Sequence, residues 1–195
     1  MGKEAKAVFL DRDGTISVEI GYIDNPADLE LYPFSGEALS QLRNMGFKLI
    51  VVTNQSGVAR GKFTESQVHE VNNMLRRLLQ EKEVTLDEIY HCPHIPGGEV
   101  AEYGIECLCR KPGTDMLMRA KSKYNINLNK SYMVGDKISD VDCGRNAGTK
   151  SILVRTGFGV EQEKLLQDRL PNEQPDFIAE SLNEAVEWIK NDQVL

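Results

Sequence analysis

Six short apolar runs, separated by stretches of helical spacing, constrain this chain most. They fall at residues 7–10, 48–53, 89–92, 131–134, 151–154 and 177–179. Several lack the polar alternation of a half-solvated strand, and Leu49-Ile50-Val51-Val52 is the clearest. A strand that is apolar on both faces needs cover on both, as in a parallel sheet flanked by helices. The intervening segments supply that cover. Ser35 can cap a helix running to Met45, with Gly46 as its stop. Thr64-x-x-Gln67 reads as a capping box opening the longest helix. There Val68, Val71, Leu75, Leu78 and Leu79 form one apolar stripe at three- and four-residue spacing. Thr114 and Ser181 can start two more helices, the latter with Glu184 three residues on. The expected fold class is α/β: a Rossmann-like, doubly wound, mostly parallel sheet with helices on both faces. At 195 residues the chain can bury a full core without disulfides, so residues 1–195 are expected to form one domain.

Two stretches escape the alternation. Residues 17–33, with Gly21, Pro26 and Pro33, make an excursion after the first strand. Residues 91–112, rich in glycine, proline and cysteine, are too long for a simple connection. Neither is long enough to be a bulky cap domain, so these two loops are expected to select the substrate.

Charge and apolar content narrow the function classes. A net charge of −7 argues against a general binder of nucleic acid or membrane surface, because both demand a basic face. A phosphate site must then be a local basic cluster in an acidic surround. No apolar run approaches the ~20 residues of a membrane helix. The first six residues lack the apolar stretch of a secretory signal, so a cytoplasmic location is expected. In such a compartment Cys92, Cys107, Cys109 and Cys143 are read first as metal ligands or thiols.

In an open α/β sheet, ligands bind beyond the carboxyl ends of the strands. The first run ends in Asp11-Arg12-Asp13-Gly14-Thr15. Residues two apart on a strand share a face, so Asp11 and Asp13 emerge together. Two carboxylates that close repel unless a cation or proton relieves them. Taken alone, the motif is equally well an acidic turn. The second run ends in Thr53-Asn54-Gln55-Ser56-Gly57, a hydroxyl and a turn that can cradle an anion. The fourth ends in Gly135-Asp136-Lys137, with Asp140 and Asp142 beyond, and Arg110-Lys111 puts two cations just before a helix. Acids, hydroxyl and cations thus converge on one rim.

This ordered set resembles the haloacid-dehalogenase-like hydrolases over nearly the whole chain. Asp11-x-Asp13-Gly14-Thr15 looks like the first motif of that superfamily and Thr53-Asn54 like its second. Lys111 matches the third, and Gly135-Asp136 with Asp140 the fourth. The resemblance implies a Mg²⁺-dependent phosphatase. Asp11 would be the nucleophile and Asp13 the acid/base, while Thr53, Lys111 and the Asn54 backbone would hold phosphate oxygens. The Asp11 and Asp136 side chains and the Asp13 carbonyl would bind Mg²⁺. Asp140 would support Asp136 or Lys137 rather than bind metal.

Cys92-Pro93-His94 and Cys107-Leu108-Cys109 offer three thiolates and an imidazole in two close pairs. That set suits a closed, structural, tetrahedral Zn²⁺ in a loop at 91–110, and would hold Arg110 and Lys111 in place. His91 is a competing ligand, while Cys143 reads as a buried thiol and His69 as helix surface.

Within the superfamily, the small zinc-bearing branch includes heptose 1,7-bisphosphate 7-phosphatases and histidinol-phosphate phosphatases. Gly21-Tyr22, the run Thr53 to Gly61 and Cys107-x-Cys109-Arg110-Lys111-Pro112 look closer to the heptose enzymes. That resemblance puts Arg12, Glu19, Ile20, Gly21, Tyr22, Asn54, Gln55, Ser56, Arg110 and Lys137 in the substrate-binding set. A guanidinium such as Arg110 can grip the second phosphate of a bisphosphate bidentately. The substrate implied is a small sugar bisphosphate, bound by a monomer with no nucleic-acid or membrane partner. Histidinol phosphate, cationic at its far end, would instead favour acidic lining such as Glu19. Two other classes compete. A zinc-binding interaction module leaves the Asp pair and Asp136 unexplained, and a receiver-like domain needs neither Asp13 nor zinc.

Overall fold

The computed structural model describes residues 4–193. Strands β1 (Lys6–Leu10), β2 (Phe47–Asn54), β3 (Glu88–Cys92), β4 (Tyr132–Gly135), β5 (Lys150–Val154) and β6 (Phe177–Ala179) form one sheet. Its order is β3-β2-β1-β4-β5-β6, and every neighbouring pair is parallel. All six expected runs are strands, and the sheet is parallel throughout rather than mostly so. Strand order reverses direction between β1 and β4, which is where such sheets open a crevice for ligands.

Helices α1 (Ser35–Asn44), α2 (Glu65–Gln80), α3 (Asp115–Tyr124), α4 (Ile138–Ala147), α5 (Gly159–Lys164) and α6 (Leu182–Asp192) cover the sheet. The period of two along each strand sorts them onto two faces. Val8 and Leu10 of β1, with Leu49 and Val51 of β2, pack against Leu39 of α1, Leu75 of α2 and Val186 of α6. Ala7, Phe9, Ile50 and Val52 pack the other way, against Met116, Leu117 and Ala120 of α3 and Cys143 of α4.

The helix starts are mostly as the sequence indicates. Thr64 is extended (φ −87°, ψ 160°), and its Oγ1 accepts from the Gln67 N–H at 3.3 Å while Gln67 Oε1 accepts from the Thr64 N–H at 2.9 Å. Ser35 is a correction. A cap must have extended backbone, but the residue flanking α1 is Phe34, already helical at φ −83°, ψ −13°. Ser35 is the first helical residue instead, and its buried Oγ donates to the Ile16 carbonyl at 2.7 Å. It ties α1 to the turn that follows the Asp pair.

Both irregular stretches are fastened. Residues 17–33 fold back on themselves through Val18 N–H to Glu30 (2.9 Å) and Tyr32 N–H to Ile16 (3.1 Å). Strand β3 absorbs His91 and Cys92, so the second loop begins at Pro93. It docks on the turn after β2: Val100 N–H donates to Ala59 at 2.9 Å, and Ala59 N–H to Pro93 at 3.3 Å. Among the described residues no helix is long and apolar enough to cross a membrane.

Candidate active site

The carboxyl ends of β1, β2 and β4 border one cavity of about 310 Å³. Asp11, Asp13, Thr53, Asn54, Gln55, Ser56, Lys111 and Lys137 line it, and Glu19, Gly21 and Tyr22 reach it from the first excursion. Asp136 is wholly buried beneath, with a carboxylate oxygen within 4.8 Å of ones from Asp11 and Asp140.

Lysine 111 is the electrostatic centre. The residue is 3 % exposed, and its ammonium sits 2.6 Å from Asp140 Oδ1 and 3.0 Å from Asp11 Oδ1. It also donates to the Val52 carbonyl at 2.7 Å. Asn54 fixes its backbone on both sides, Nδ2 donating to the Lys111 carbonyl and Oδ1 accepting from its N–H. Burial alone would discharge this lysine, but Asp11 and Asp140 hold it well above the ordinary ammonium range. Burial likewise pushes Asp11 up, yet Lys111 and Lys137 outweigh it, so Asp11 is held below the usual carboxylate range. Its negative form is the one that can attack.

Aspartate 136 behaves oppositely. Burial first, and then the Asp11 charge, push it up to about 7 despite Lys137 at 3.0 Å. Among the described residues, the carboxylates of Asp11, Asp13, Asp136, Asp140 and Glu19 pair with three cations, Arg12, Lys111 and Lys137. The cluster is short of two positive charges, so its donor chemistry fits a hard divalent cation. Asp140 has both oxygens engaged, Oδ1 by Lys111 and Oδ2 by the Lys137 N–H (3.0 Å). Asp11 Oδ2, by contrast, has Lys137 no nearer than 3.9 Å, so Asp11 with its neighbour Asp136 could hold such an ion.

Arg12, Ile20 and Arg110, expected among the substrate contacts, do not line the cavity. Arg12 is 1 % exposed and lies under Asp13, donating from Nε to Oδ1 (2.9 Å) and from Nη2 to Oδ2 (2.8 Å). Its Nη1 donates to Asn72 Oδ1 at 3.0 Å, which explains a polar residue on the buried face of α2. Arg12 is thus a clamp on Asp13. The Ile20 side chain is 54 % exposed. Arg110 turns away, Nη1 donating to the His94 carbonyl at 3.3 Å.

Sequence reasoning missed Ser139 and Phe158 as lining residues. Phe158 follows β5 and closes the site from the far side: its N–H donates to Asp136 Oδ2 at 2.9 Å, and Lys137 Nζ lies 4.8 Å from its ring centroid. The signal was present in Gly157-Phe158-Gly159. Gly157 has φ +57°, and a Cβ there would lie 2.3 Å from Asp136 Oδ2. Only glycine lets the backbone approach that carboxylate so closely.

Cys92, His94, Cys107 and Cys109 do come together. The Cys92 sulfur is 3.5 Å from Cys107 and 3.1 Å from Cys109, and His94 Nδ1 is 3.4 Å from Cys109. All four cysteines of the chain are free, and burial with neighbouring sulfur pushes the Cys92 thiol far up. Three clustered sulfurs cannot ionise together without a cation, so the set is compatible with zinc. The Arg110 N–H donates to Cys107 Sγ at 3.4 Å, which couples this cluster to the segment carrying Lys111.

This arrangement has counterparts. A HAD-hydrolase-like family model matches residues 108–185. The chain is 42 % identical over 195 residues, 99 % of its length and 98 % of the relative's, to the D-glycero-beta-D-manno-heptose-1,7-bisphosphate 7-phosphatase of Escherichia coli K12. It is 43 % identical to the D-glycero-D-manno-heptose-1,7-bisphosphate 7-phosphatase of Thermosynechococcus vestitus, covering 94 % of each chain. It belongs to the D-glycero-D-manno-heptose-1,7-bisphosphate 7-phosphatase family. A solved structure of the heptose bisphosphate phosphatase family, the D,D-heptose 1,7-bisphosphate phosphatase of B. bronchiseptica complexed with magnesium and phosphate, superposes with a TM-score of 0.82. It is 29 % identical, covering 96 % of this chain and 99 % of that one. A HAD-like phosphatase of Mesorhizobium loti superposes at 0.83 with 31 % identity, covering 97 % and 88 %. As a member of this family the chain is a phosphatase of the haloacid-dehalogenase-like superfamily, with its Rossmann-like fold, and hydrolyses phosphate monoesters.

Proposed function

We propose that this chain removes the 7-phosphate of D-glycero-D-manno-heptose 1,7-bisphosphate through a phosphoryl-Asp11 intermediate. The observation that carries the reading is the placement of Asp11, which lines the cavity with the Lys111 ammonium 3.0 Å away. Asp11 attacks phosphorus as the bond to the sugar oxygen breaks, and Asp13 gives that oxygen a proton. Water then attacks the phosphoryl group while Asp13 takes back a proton, which frees phosphate and Asp11. Arg12 holds the Asp13 carboxyl in place for both steps, Nε on Oδ1 and Nη2 on Oδ2. For the first step a protonated Asp13 must loosen its Oδ2 from Arg12 or from Gln55, whose Nε2 donates to it at 3.0 Å. Lys111, the Thr53 hydroxyl and the Asn54 N–H hold the equatorial oxygens, where transition-state charge collects.

Mg²⁺ held by the Asp11 and Asp136 carboxylates and the Asp13 carbonyl would supply Lewis-acid neutralisation of the phosphate. Zn²⁺ on Cys92, His94, Cys107 and Cys109 would keep the Lys111 segment in place. The three sulfurs lie 3.1, 3.3 and 3.5 Å apart, close enough for one ion to take all of them. Glu19, whose Oε1 accepts from Gly21 N–H at 2.7 Å and whose Oε2 is 3.4 Å from Lys137, positions the excursion over the sugar. In this reading the chain is one domain that acts as a monomer in the cytoplasm, where free cysteines persist.

The test is a specificity panel with zinc-replete protein and Mg²⁺. It compares both anomers of the heptose bisphosphate with histidinol phosphate and fructose 1,6-bisphosphate. Higher kcat/KM for a heptose bisphosphate is expected, with no turnover by Asp11→Asn. Preference for histidinol phosphate, or full activity of Asp11→Asn, would overturn the assignment.

A further inference from the structure

A second cluster of metal-ligating groups lies outside the catalytic cavity and the cysteine cluster. Glu65 and His69 are four residues apart on α2 and so share one face. His91 reaches them from β3, the edge strand of the sheet. Successive strand residues point to opposite faces, so His91 faces α2 while Cys92 faces the cysteine cluster. His91 Nε2 is 2.8 Å from Glu65 Oε1, the His69 and His91 rings are edge-to-face with centroids 5.0 Å apart, and all three ligand atoms lie within 4.8 Å of one another.

We propose that Glu65, His69 and His91 form a binding site for a divalent ion of the zinc class. Two imidazoles and one carboxylate suit Zn²⁺, Co²⁺ or Ni²⁺, and are poorly matched to Mg²⁺, which prefers oxygen. Ligand atoms about 2.1 Å from one ion sit about 3.0–3.4 Å apart, so closing this set needs only small side-chain rotations. His69 is exposed and free to make them. The carboxylate is already aimed: the Tyr103 hydroxyl donates to Glu65 Oε2 at 3.0 Å and leaves Oε1 for the ion. The three groups border an open groove of about 1130 Å³, so water or a small anion completes the coordination. With no thiolate, this site binds more weakly and exchanges faster than the cysteine cluster. A bound ion would pin the first turn of α2 to the edge strand, next to the loop that docks on the turn after β2.

The test uses untagged full-length protein, dialysed to equilibrium against a fixed free Zn²⁺ concentration and analysed for bound zinc per chain by elemental mass spectrometry of the protein and buffer compartments. His69→Ala and Glu65→Gln each alter one ligand without touching the cysteine cluster or the catalytic cavity. Wild type is expected to carry one more zinc than either variant, and added Zn²⁺ should raise its Tm but not theirs. Equal zinc content in wild type and both variants would overturn the proposal, as would an equal zinc-induced rise in Tm. Because the comparison is between wild type and variants, the outcome does not depend on which sugar phosphate the enzyme hydrolyses.

Discussion

Replacing Lys111 with methionine keeps most of the unbranched side chain and deletes its charge. In the native site that ammonium lies between Asp140 at 2.6 Å and Asp11 at 3.0 Å. Without it, two buried carboxylates within 4.8 Å face each other. At an effective dielectric of about 20 they repel by about 3.5 kcal/mol. The alternative is to protonate Asp140. Raising a carboxyl from its ordinary pKa of about 3.9 past pH 7 costs about 4 kcal/mol, at about 1.4 per unit. Both routes put the loss of stability near 4 kcal/mol at neutral pH, within the range for breaking a buried pair. The deficit must also depend on pH. In the variant, the folded pKa of Asp140 lies above its unfolded one, so the associated stability is present at low pH and is lost as pH rises beyond about 4. At pH 5 the cost of protonation shrinks to about 1.5 kcal/mol. Urea unfolding of both proteins at pH 5 and pH 7, in magnesium-free buffer, measures the two deficits. Equal deficits at both pH values, or less than about 1 kcal/mol at pH 7, would show that Lys111 does not neutralise this pair. Turnover should fall as well, by about 10²–10³-fold for the loss of one charged donor to the phosphate oxygens.

Arg12→Leu removes the clamp from a buried aspartate and strands Asn72, so unfolding experiments should show about 3–5 kcal/mol of destabilisation. A surface-like change of a few tenths would contradict the clamp. Gly157→Ala forces a Cβ to within 2.3 Å of Asp136 Oδ2 at a positive φ, and should cost about 1–3 kcal/mol. Calorimetry should also find weaker Mg²⁺ binding, and unchanged affinity would remove Asp136 from the ligand set. Asp136 is raised to about 7 by burial and by Asp11. Metal-free wild type should therefore lose stability relative to Asp136→Asn as pH climbs from about 4 to about 7, by at most about 1.4 kcal/mol per unit. Mg²⁺ should abolish that slope, and parallel pH profiles without metal would refute the raised carboxyl.

The strands were legible because a sheet covered on both faces leaves uninterrupted apolar runs, and all six fall within a residue or two of where those runs lie. The convergence of Asp11, Asp13, Thr53 and Asp136 on one rim was legible because each sits at or near a strand end, and Lys111 stood out as a cation just before α3. Ser35 was misread because capping depends on the backbone conformation of a single residue, which composition does not report. The side-chain directions of Arg12 and Arg110 were not legible for a related reason. A cation beside a catalytic residue can point into the cavity or beneath it, and only packing decides which.

The order of apolar runs and their punctuation determined the sheet class, the rim on which chemistry collects and the two donor pairs of the cysteine cluster. These are local properties, readable because side-chain period and strand-end position are set along the chain. Which strands flank the switch point, and hence that Asp136 lies against Asp11, was decided by the tertiary structure. So were the burial of Lys111 between two acids, the clamp of Arg12 on Asp13 and the meeting of His91 with α2. Each joins side chains far apart in sequence or depends on which way one chain folds over another, and the strength of each comes from exclusion of water, which no single segment can accomplish.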